Sequence, residues 1–255
     1  MKRIIEGMVY GAKQALYRLS NAKLYDCVFA GAADAEAALQ EAQDITMENC
    51  IFSRPHPLWD IRNFRMTDSR LTEGAQEPLL HAENGKISDS DIDGSQALRE
   101  CRNITLDNCD IHSPDFGWNC RDIRMEDCGI RADHLFRDSR NVSLRNDEMR
   151  GECAFQHMEN LEIRNSFLNG RDAFWHSKNV TVVDSVLRGE HLGWYSENLT
   201  LIGCRIIGTQ PLRNCTGLKV IECTLEGFDG LPERIGTEVP QPEWNAGECS
   251  MALGG

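Results

Sequence analysis

The stretch Asn160-Leu-Glu-Ile-Arg-Asn-Ser-Phe-Leu-Asn-Gly170 decides the fold, because its pattern returns nineteen positions later as Asn179-Val-Thr-Val-Val-Asp-Ser-Val-Leu-Arg-Gly189. Each copy starts with Asn, ends with Gly, and alternates apolar with polar residues in between. A small Ser follows Asn165 in the first copy and Asp184 in the second, and these two residues serve as anchors for aligning the repeat. A pattern that returns at a fixed period of this length is typical of a solenoid.

The same anchor recurs along nearly the whole chain. From Asp89 onward the spacing is 19 residues seven times in succession, and the earlier spacings are 23, 19 and 21 residues. Small insertions are therefore expected in the early coils. The eleven anchors are Asp26, Asn49, Asp68, Asp89, Asn108, Asp127, Asn146, Asn165, Asp184, Gly203 and Glu222.

Apolar residues occupy fixed columns relative to the anchor. They stand four and two residues before it and three after it, as Val180, Val182 and Leu187 do around Asp184, and polar residues lie between them. This period-2 alternation indicates short strands with one buried face. A further apolar column, ten before the anchor, includes Phe174 and indicates a third strand.

The sequence therefore predicts an all-β fold, a single-stranded right-handed parallel β-helix. We expect about eleven coils of roughly 19 residues, with three short strands per coil and coils stacked about 4.8 Å apart. A left-handed β-helix would show hexapeptide repeats, and a pentapeptide solenoid would place apolar residues at every fifth position; neither pattern is present.

One domain is expected over residues 1–255. Residues 1–20 would form an irregular first coil and N-terminal cap, and residues 21–227 the repeat coils. Residues 228–255 leave the repeat and are expected to form an irregular cap or tail over the last coil, since an open end would expose unpaired strand edges.

Two columns mark the bends of the coil. Asn, Asp or Gly stands five before every anchor, and Asn103, Asn141, Asn160, Asn179 and Asn198 are predicted to adopt left-handed backbone angles and to stack. A Gly column five after the anchor marks a second bend. Nine of the 11 cysteines fall into two columns that they share with Ser, so they are interpreted as small packing residues and not as redox or metal groups.

Charge and sequence features narrow the classes of partner that the protein is expected to bind. There are 27 basic and 40 acidic residues, a formal net charge of −13, which disfavours nucleic acid, anionic membranes and polyanionic polymers. No signal peptide, membrane span, metal-ligand spacing or nucleotide motif is recognised. A cytoplasmic protein with reduced cysteines and no cofactor or metal is expected. The oligomeric state is left open.

Local strings carry a family resemblance. Pro57-Leu-Trp59, the run from Asp172 to Ser185 and the run from Glu190 to Cys204 lie in register with the repeat. Together with the columns, they resemble a bacterial family catalogued as a domain of unknown function with a pectin-lyase-like right-handed parallel β-helix fold. The resemblance spans roughly residues 4–225 and implies the fold. Some members carry a hydrolase label, which implies hydrolysis as one activity to consider.

One flank of the coil combines aromatic, acidic and imidazole groups over three consecutive coils. The predicted ligand-binding residues are Trp175, Trp194, His157, His176, Tyr195 and Asp138, and the candidate catalytic carboxylates are Asp172 and Glu190. Indole faces and carboxylate acceptors suit a neutral sugar. The alternative is that the tryptophans only close the rim of the core and the charges are solvated.

Two functions follow from this flank. The first is binding of a small neutral ligand such as a carbohydrate, or a scaffold role in which the rigid flank meets a partner. The alternative is a carbohydrate-active enzyme, a glycoside hydrolase or lyase, in which Asp172 and Glu190 act as general acid and base. The short catalytic strings of polygalacturonases are absent, which favours binding over catalysis.

Overall fold

A computed structural model describes residues 2–31 and 37–227 and the backbone of residues 233–235. The described chain is a right-handed parallel β-helix of about twelve coils, which confirms the predicted fold and agrees with the expected number of about eleven. Each coil contributes one strand to each of two long parallel sheets. None of the described residues belongs to a helix that could span a bilayer.

The first sheet contains the longer strand of every coil, with six residues in most of them. Its strands are β1 Arg3–Glu6, β3 Ser20–Tyr25, β5 Gln43–Glu48, β7 Arg62–Thr67, β9 Glu83–Ser88, β11 Arg102–Asp107, β13 Arg121–Glu126, β15 Arg140–Arg145, β17 Glu159–Arg164, β19 Lys178–Val183, β21 Glu197–Ile202 and β23 Lys219–Ile221.

The second sheet contains a short strand that follows the anchor of each coil. Its strands are β2 Val9–Tyr10, β4 Val28–Phe29, β6 Ile51–Phe52, β8 Arg70–Leu71, β10 Asp91–Ile92, β12 Asp110–His112, β14 Gly129–Arg131, β16 Glu148–Arg150, β18 Phe167–Asn169, β20 Val186–Arg188, β22 Arg205–Ile207, β24 Cys223–Glu226 and β25 Glu233–Ile235.

Register follows the sequence columns. Val180 pairs with Leu161 on the coil before and with Leu199 on the coil after, and Val182 pairs in the same way with Ile163. Identical columns therefore stack over one another and form a single apolar core inside the coil. The first coil already carries β1 and β2 in register with the second, so residues 3–10 are more regular than predicted.

The prediction of a third strand in each coil is wrong. The third side consists of turns in which left-handed residues alternate with right-handed ones: Asp172, Phe174 and His176 have φ of 57°, 63° and 53°. Their backbone N–H groups still bond to neighbouring coils, as Phe174 does to the Ala154 carbonyl at 2.9 Å. A chain with this alternation cannot extend into a strand, and we call this third side the turn side.

Alternation of φ also changes which side chains face inward. On the turn side they point inward and outward in pairs: Ala173 and Phe174 are buried, whereas Trp175 and His176 reach the surface. The residues twelve, nine and eight positions before each anchor therefore point outward, and their columns lie side by side on this face.

Both predicted bends are present. Asn103, Asn141, Asn160, Asn179 and Asn198 all have φ between 54° and 60°, which confirms the left-handed turn column. In the Gly column, a Cβ on Gly189 would lie 2.0 Å from the Gly170 carbonyl oxygen, so only Gly fits that bend. The predicted cap over residues 228–255 lies outside the described residues, except that β25 pairs antiparallel with β24.

Candidate functional site

A column of stacked rings runs along the turn side, eight residues before the anchor. The His157 and His176 rings lie 5.6 Å apart with an interplanar angle of 5°, and His176 and Tyr195 lie 5.1 Å apart at 10°. This stack follows from the register, since each ring occupies the same position on consecutive coils. The structure therefore brings these three predicted residues together as one exposed ring ladder.

The two candidate tryptophans stand in the next column and border that ladder. Trp175 lies 5.9 Å from the His176 ring, and Trp194 lies 6.3 Å from the Tyr195 ring. Both indoles are half-buried, so each keeps part of its ring exposed. Arg213 also places its guanidinium 5.5 Å from the centre of the Trp194 ring, a cation–π contact at the far end of the surface.

The hydrogen bonds of the two indoles differ. Trp194 donates through Nε1 to the Gln210 carbonyl at 2.6 Å. Trp175 Nε1 is buried and has no hydrogen-bond partner among the described residues. An unsatisfied buried donor costs free energy, so the packing of the Trp175 ring has to offset that cost.

Asp172 and Glu190 lie on neighbouring coils but do not contact one another through their side chains. Asp172 Oδ1 lies 3.0 Å from His191 Nδ1, and its other oxygen lies 3.9 Å from Arg171 Nε. Glu190 is exposed, and in the described residues its side chain has no ion pair or hydrogen bond. The coils are joined here by the backbone, where Asp172 N–H donates to the Glu190 carbonyl at 2.9 Å.

Asp138 belongs to the same column as the ring ladder, one coil below His157. Its carboxylate accepts a hydrogen bond from Trp118 Nε1 at 3.1 Å and lies 3.3 Å from Arg137 Nε. Asp138 thus extends the polar edge of the surface, but its contacts are with Trp118 and Arg137 and not with the ring ladder.

Sequence reasoning left His191 out of the predicted site, although the structure places it there. Its ring lies 4.3 Å from the Trp194 ring while it holds Asp172. The same column carries another acid–imidazole pair, with His134 Nδ1 3.0 Å from Asp115 Oδ1. The 19-residue separation of acid and imidazole in each pair was the available signal.

The aromatic surface is separate from a polar groove that other described residues form. A groove of about 700 Å³ lies on the outer face of the first sheet, where Asn141, Asn160, Arg124 and Arg164 are among its lining residues. Among the described residues no group of three His, Cys, Asp or Glu side chains is placed to hold a metal ion. The arrangement on the turn side is a ladder of rings that stack on one another, with polar groups beside it.

These features define a right-handed parallel β-helix with a ring ladder on its turn side. The chain belongs to the family described as Protein of unknown function (DUF3737), whose profile matches residues 3–234. No curated protein sequence matches the chain.

Solved structures share the fold at low sequence identity. The chain is similar to PfbA, a surface adhesin of Streptococcus pneumoniae, with 9% identity and a TM-score of 0.52 over 88% of this chain and 81% of that one. It is also similar to tailspike protein 3 of bacteriophage CBA120, with 8% identity and a TM-score of 0.53 over 89% of this chain. The match spans 50% of the tailspike chain.

Proposed function

We propose that the turn side around Trp175 and Trp194 binds a small neutral ligand such as a carbohydrate. The observation that carries this proposal is the contiguous ring surface over three coils, with His157, His176 and Tyr195 stacked beside the two indoles. Faces of sugar rings pack on aromatic faces, while the ligand hydroxyls need polar groups at the edges of the platform.

Polar groups stand at those edges. Asp172, held by His191, and the unpaired Glu190 are acceptors for hydroxyl hydrogens. The buried N–H of Trp175 is a donor with no partner among the described residues, whereas Trp194 and Trp59 both donate to backbone carbonyls. Because that N–H is buried, a ligand oxygen does not reach it, and Trp175 contributes ring surface alone.

Glycoside cleavage is the second candidate function. One observation favours it: two outward carboxylates, Asp172 and Glu190, lie on adjacent coils beside the ring ladder, and one coil step is close to the short carboxylate separation of retaining enzymes. In that mechanism one group would donate a proton to the leaving oxygen and the other would act as base or nucleophile. The short catalytic strings of polygalacturonases are absent from the sequence, so binding is the better-supported function.

A cytoplasmic location is proposed together with this function. Nine cysteines in the described residues are free, and all of these except Cys153 are buried in the core: Cys27, Cys50, Cys101, Cys109, Cys120, Cys128, Cys153, Cys204 and Cys223. Free buried thiols support a reducing compartment, where disulfides do not persist.

A panel of neutral oligosaccharides, measured by thermal shift and isothermal titration, tests the binding proposal. Trp194→Ala should abolish binding without loss of the cooperative unfolding transition. Trp59→Ala is the matched control, because Trp59 occupies the same column on a distant coil and lies 4.3 Å from His56, much as Trp194 lies 4.3 Å from His191.

Two results would contradict the proposal: no neutral oligosaccharide binds, or Trp194→Ala binds as the unmodified protein does. Chromatography of the same mixtures tests cleavage. If products form, Asp172→Asn should stop their formation while ligand binding remains. If a protein partner binds this flank and no carbohydrate does, the scaffold role replaces carbohydrate binding as the function of this surface.

A further inference from the structure

Surface charges on the first sheet are mostly compensated across coils. Arg62 lies 3.7 Å from Glu83 on the next coil, and Lys178 lies 3.1 Å from Glu197 on the next coil. Opposite charges that stack in this way stabilise neighbouring strands, whereas like charges repel. A run of stacked like charges therefore stands out from the rest of this surface.

Three arginines break the pattern. Arg121 is in register with Arg102 on the coil before and with Arg140 on the coil after. In the described residues none of the three side chains forms an ion pair or hydrogen bond. They stand about 4.8 Å apart at the backbone, so like charges face one another across two consecutive coil steps.

A fourth unpaired arginine lies beyond the Asn column. Arg124 lines the groove of about 700 Å³ together with Asn141 and Ser143, and it too has no ion pair or hydrogen bond in the described part of the chain. Asp122, the acid nearest in sequence, accepts the Asn141 side-chain amide at 2.8 Å. We call Arg102, Arg121, Arg124 and Arg140 the arginine face.

Local charge here opposes the net charge of the chain. Strands β11, β13 and β15 carry five arginines against three acids. Of these acids, Asp107 lies 3.4 Å from Lys86, and Glu126 lies 3.8 Å from Arg145. Distant carboxylates are screened beyond about 8 Å at physiological ionic strength, so the arginine face attracts anions although the chain carries −13 overall.

Acids close the two ends of the face. Glu83 is in register below Arg102 and Glu159 above Arg140, and neither makes an ion pair with its arginine. The positive strip is therefore three coils long. Its length matches a short oligoanion better than a long continuous polyanion.

We propose that the arginine face binds a short acidic oligosaccharide, with sugar carboxylates against the guanidinium groups of consecutive coils. Arginine forms paired hydrogen bonds with a carboxylate, and a column of arginines presents that geometry once per coil. The outer faces of β11, β13 and β15 carry no aromatic residue, so the bases of a single-stranded nucleic acid would find no stacking platform.

Titration of the full chain with a uronic acid tetramer tests this assignment, with a neutral tetramer of the same length as the reference ligand. The Arg121→Gln/Arg140→Gln double variant should weaken tetramer binding by about tenfold or more, because two charge-assisted contacts are lost. Binding should also weaken as the salt concentration rises to about 0.15 M. Arg62→Gln is the matched control, since Arg62 stands in the same column but is paired with Glu83, and it should bind as the unmodified protein does.

Three results would overturn the proposal: the uronic acid tetramer fails to bind, the double variant binds it unchanged, or tripolyphosphate or a single-stranded oligonucleotide binds and the tetramer does not. Trp194→Ala should retain tetramer binding, which keeps this site distinct from the ring ladder. Circular dichroism of each variant verifies the fold. The glutamines of the double variant replace the exposed Arg140 and the half-buried Arg121, and neither side chain forms an ion pair or hydrogen bond in the described part of the chain.

Discussion

The side-chain amide of Asn141 donates a hydrogen bond to the carboxylate of Asp122 at 2.8 Å. This contact ends a ladder in which each Asn donates to the coil before it, because a carboxylate can only accept. The amide dipoles point in one direction, and such chains strengthen each bond. Two ladders of this kind run along the column, from Asn198 through Asn179, Asn160 and Asn141 to Asp122, and from Asn103 through Asn84 and Asn63 to Asp44.

Replacing Asn141 with Val should lower the free energy of unfolding by about 2 kcal/mol. Val would have to adopt the φ of 56° found at Asn141, which a β-branched residue disfavours, and two ladder hydrogen bonds would be lost. Urea denaturation measures the change. Asn141→Gly separates the two causes, because Gly tolerates the backbone angle but cannot hydrogen-bond through a side chain; equal losses in both variants would contradict the backbone contribution.

The Gly column gives a sharper steric prediction. Gly189→Ala should destabilise the fold by about 3 kcal/mol or more, because the added Cβ would lie 2.0 Å from the Gly170 carbonyl oxygen at a φ of 153°. Gly129→Ala is the control: its Cβ would have only Asp110 Oδ1 nearby, at 3.5 Å, so stability should stay the same or rise by up to about 1 kcal/mol. Thermal unfolding of both variants decides the matter, and a Gly189→Ala protein as stable as Gly129→Ala would refute the close approach.

Asp147 should make the stability of the folded protein depend on pH. It occupies the buried column that otherwise holds Ser or Cys, and burial raises its pKa to about 7, although the backbone N–H groups of Cys128 and Arg145 donate to its carboxylate. Because the pKa of Asp147 is higher in the folded state than in the unfolded state, its contribution to the free energy of unfolding is greatest below about pH 4. That contribution falls as the pH rises towards 7.

The free energy of unfolding of Asp147→Ser, relative to that of the unmodified protein, should therefore increase by about 3 kcal/mol between pH 4 and 8. Ser fits, since Ser166 holds the same position one coil above and is buried. Urea unfolding at several pH values measures the difference. Asp110→Ser, which removes an exposed carboxylate, controls for net charge; a pH-independent difference for Asp147→Ser would argue against the buried acid.

Cysteine labelling tests the packing of the core. Denatured protein should present all 11 thiols, while the native protein should label first at Cys153, the only half-buried cysteine among the ten in the described residues. Burial, followed by the charges of Asp172 and Glu152, raises the pKa of that thiol, so labelling should be slow at neutral pH and accelerate as the pH rises.

Native labelling uses a Cys249→Ser background, because Cys249 lies outside the described residues. Adding Cys153→Ser should remove the first-labelled site. Four or fewer thiols in the denatured, unmodified protein would contradict the reduced state.

The fold was predicted correctly where the alternation of apolar and polar side chains is compatible with only one backbone conformation. The columns around Val180, Val182 and Leu187 alternate with period 2, and only strands with one buried face satisfy that pattern, so the two sheets and their register were determined. The third apolar column was misassigned to a strand, because an apolar residue such as Phe174 every 19 positions shows burial without showing backbone angle. A clue was present: that column contains only Leu, Phe and Gly, with none of the β-branched residues that a positive φ excludes.

Site prediction depended on the same register. Stacking of His157 with His176 follows once the period is known, since equal positions on successive coils must lie over one another. The column of Arg102, Arg121 and Arg140 is visible in the sequence. A column of polar residues on an outer sheet face resembles an ordinary solvated surface, however, and only the structure shows that these arginines have no ion-pair partner among the described residues.

By itself the sequence determined the period, the inward columns and the left-handed Asn column, because these depend only on spacing and on the chemistry of single side chains. Only the tertiary structure decided that the turn side points its side chains in and out in pairs, that His191 holds Asp172, and that the Trp175 N–H is left without a partner among the described residues. These features depend on the sign of φ and on contacts between coils, which residue spacing along one chain does not specify.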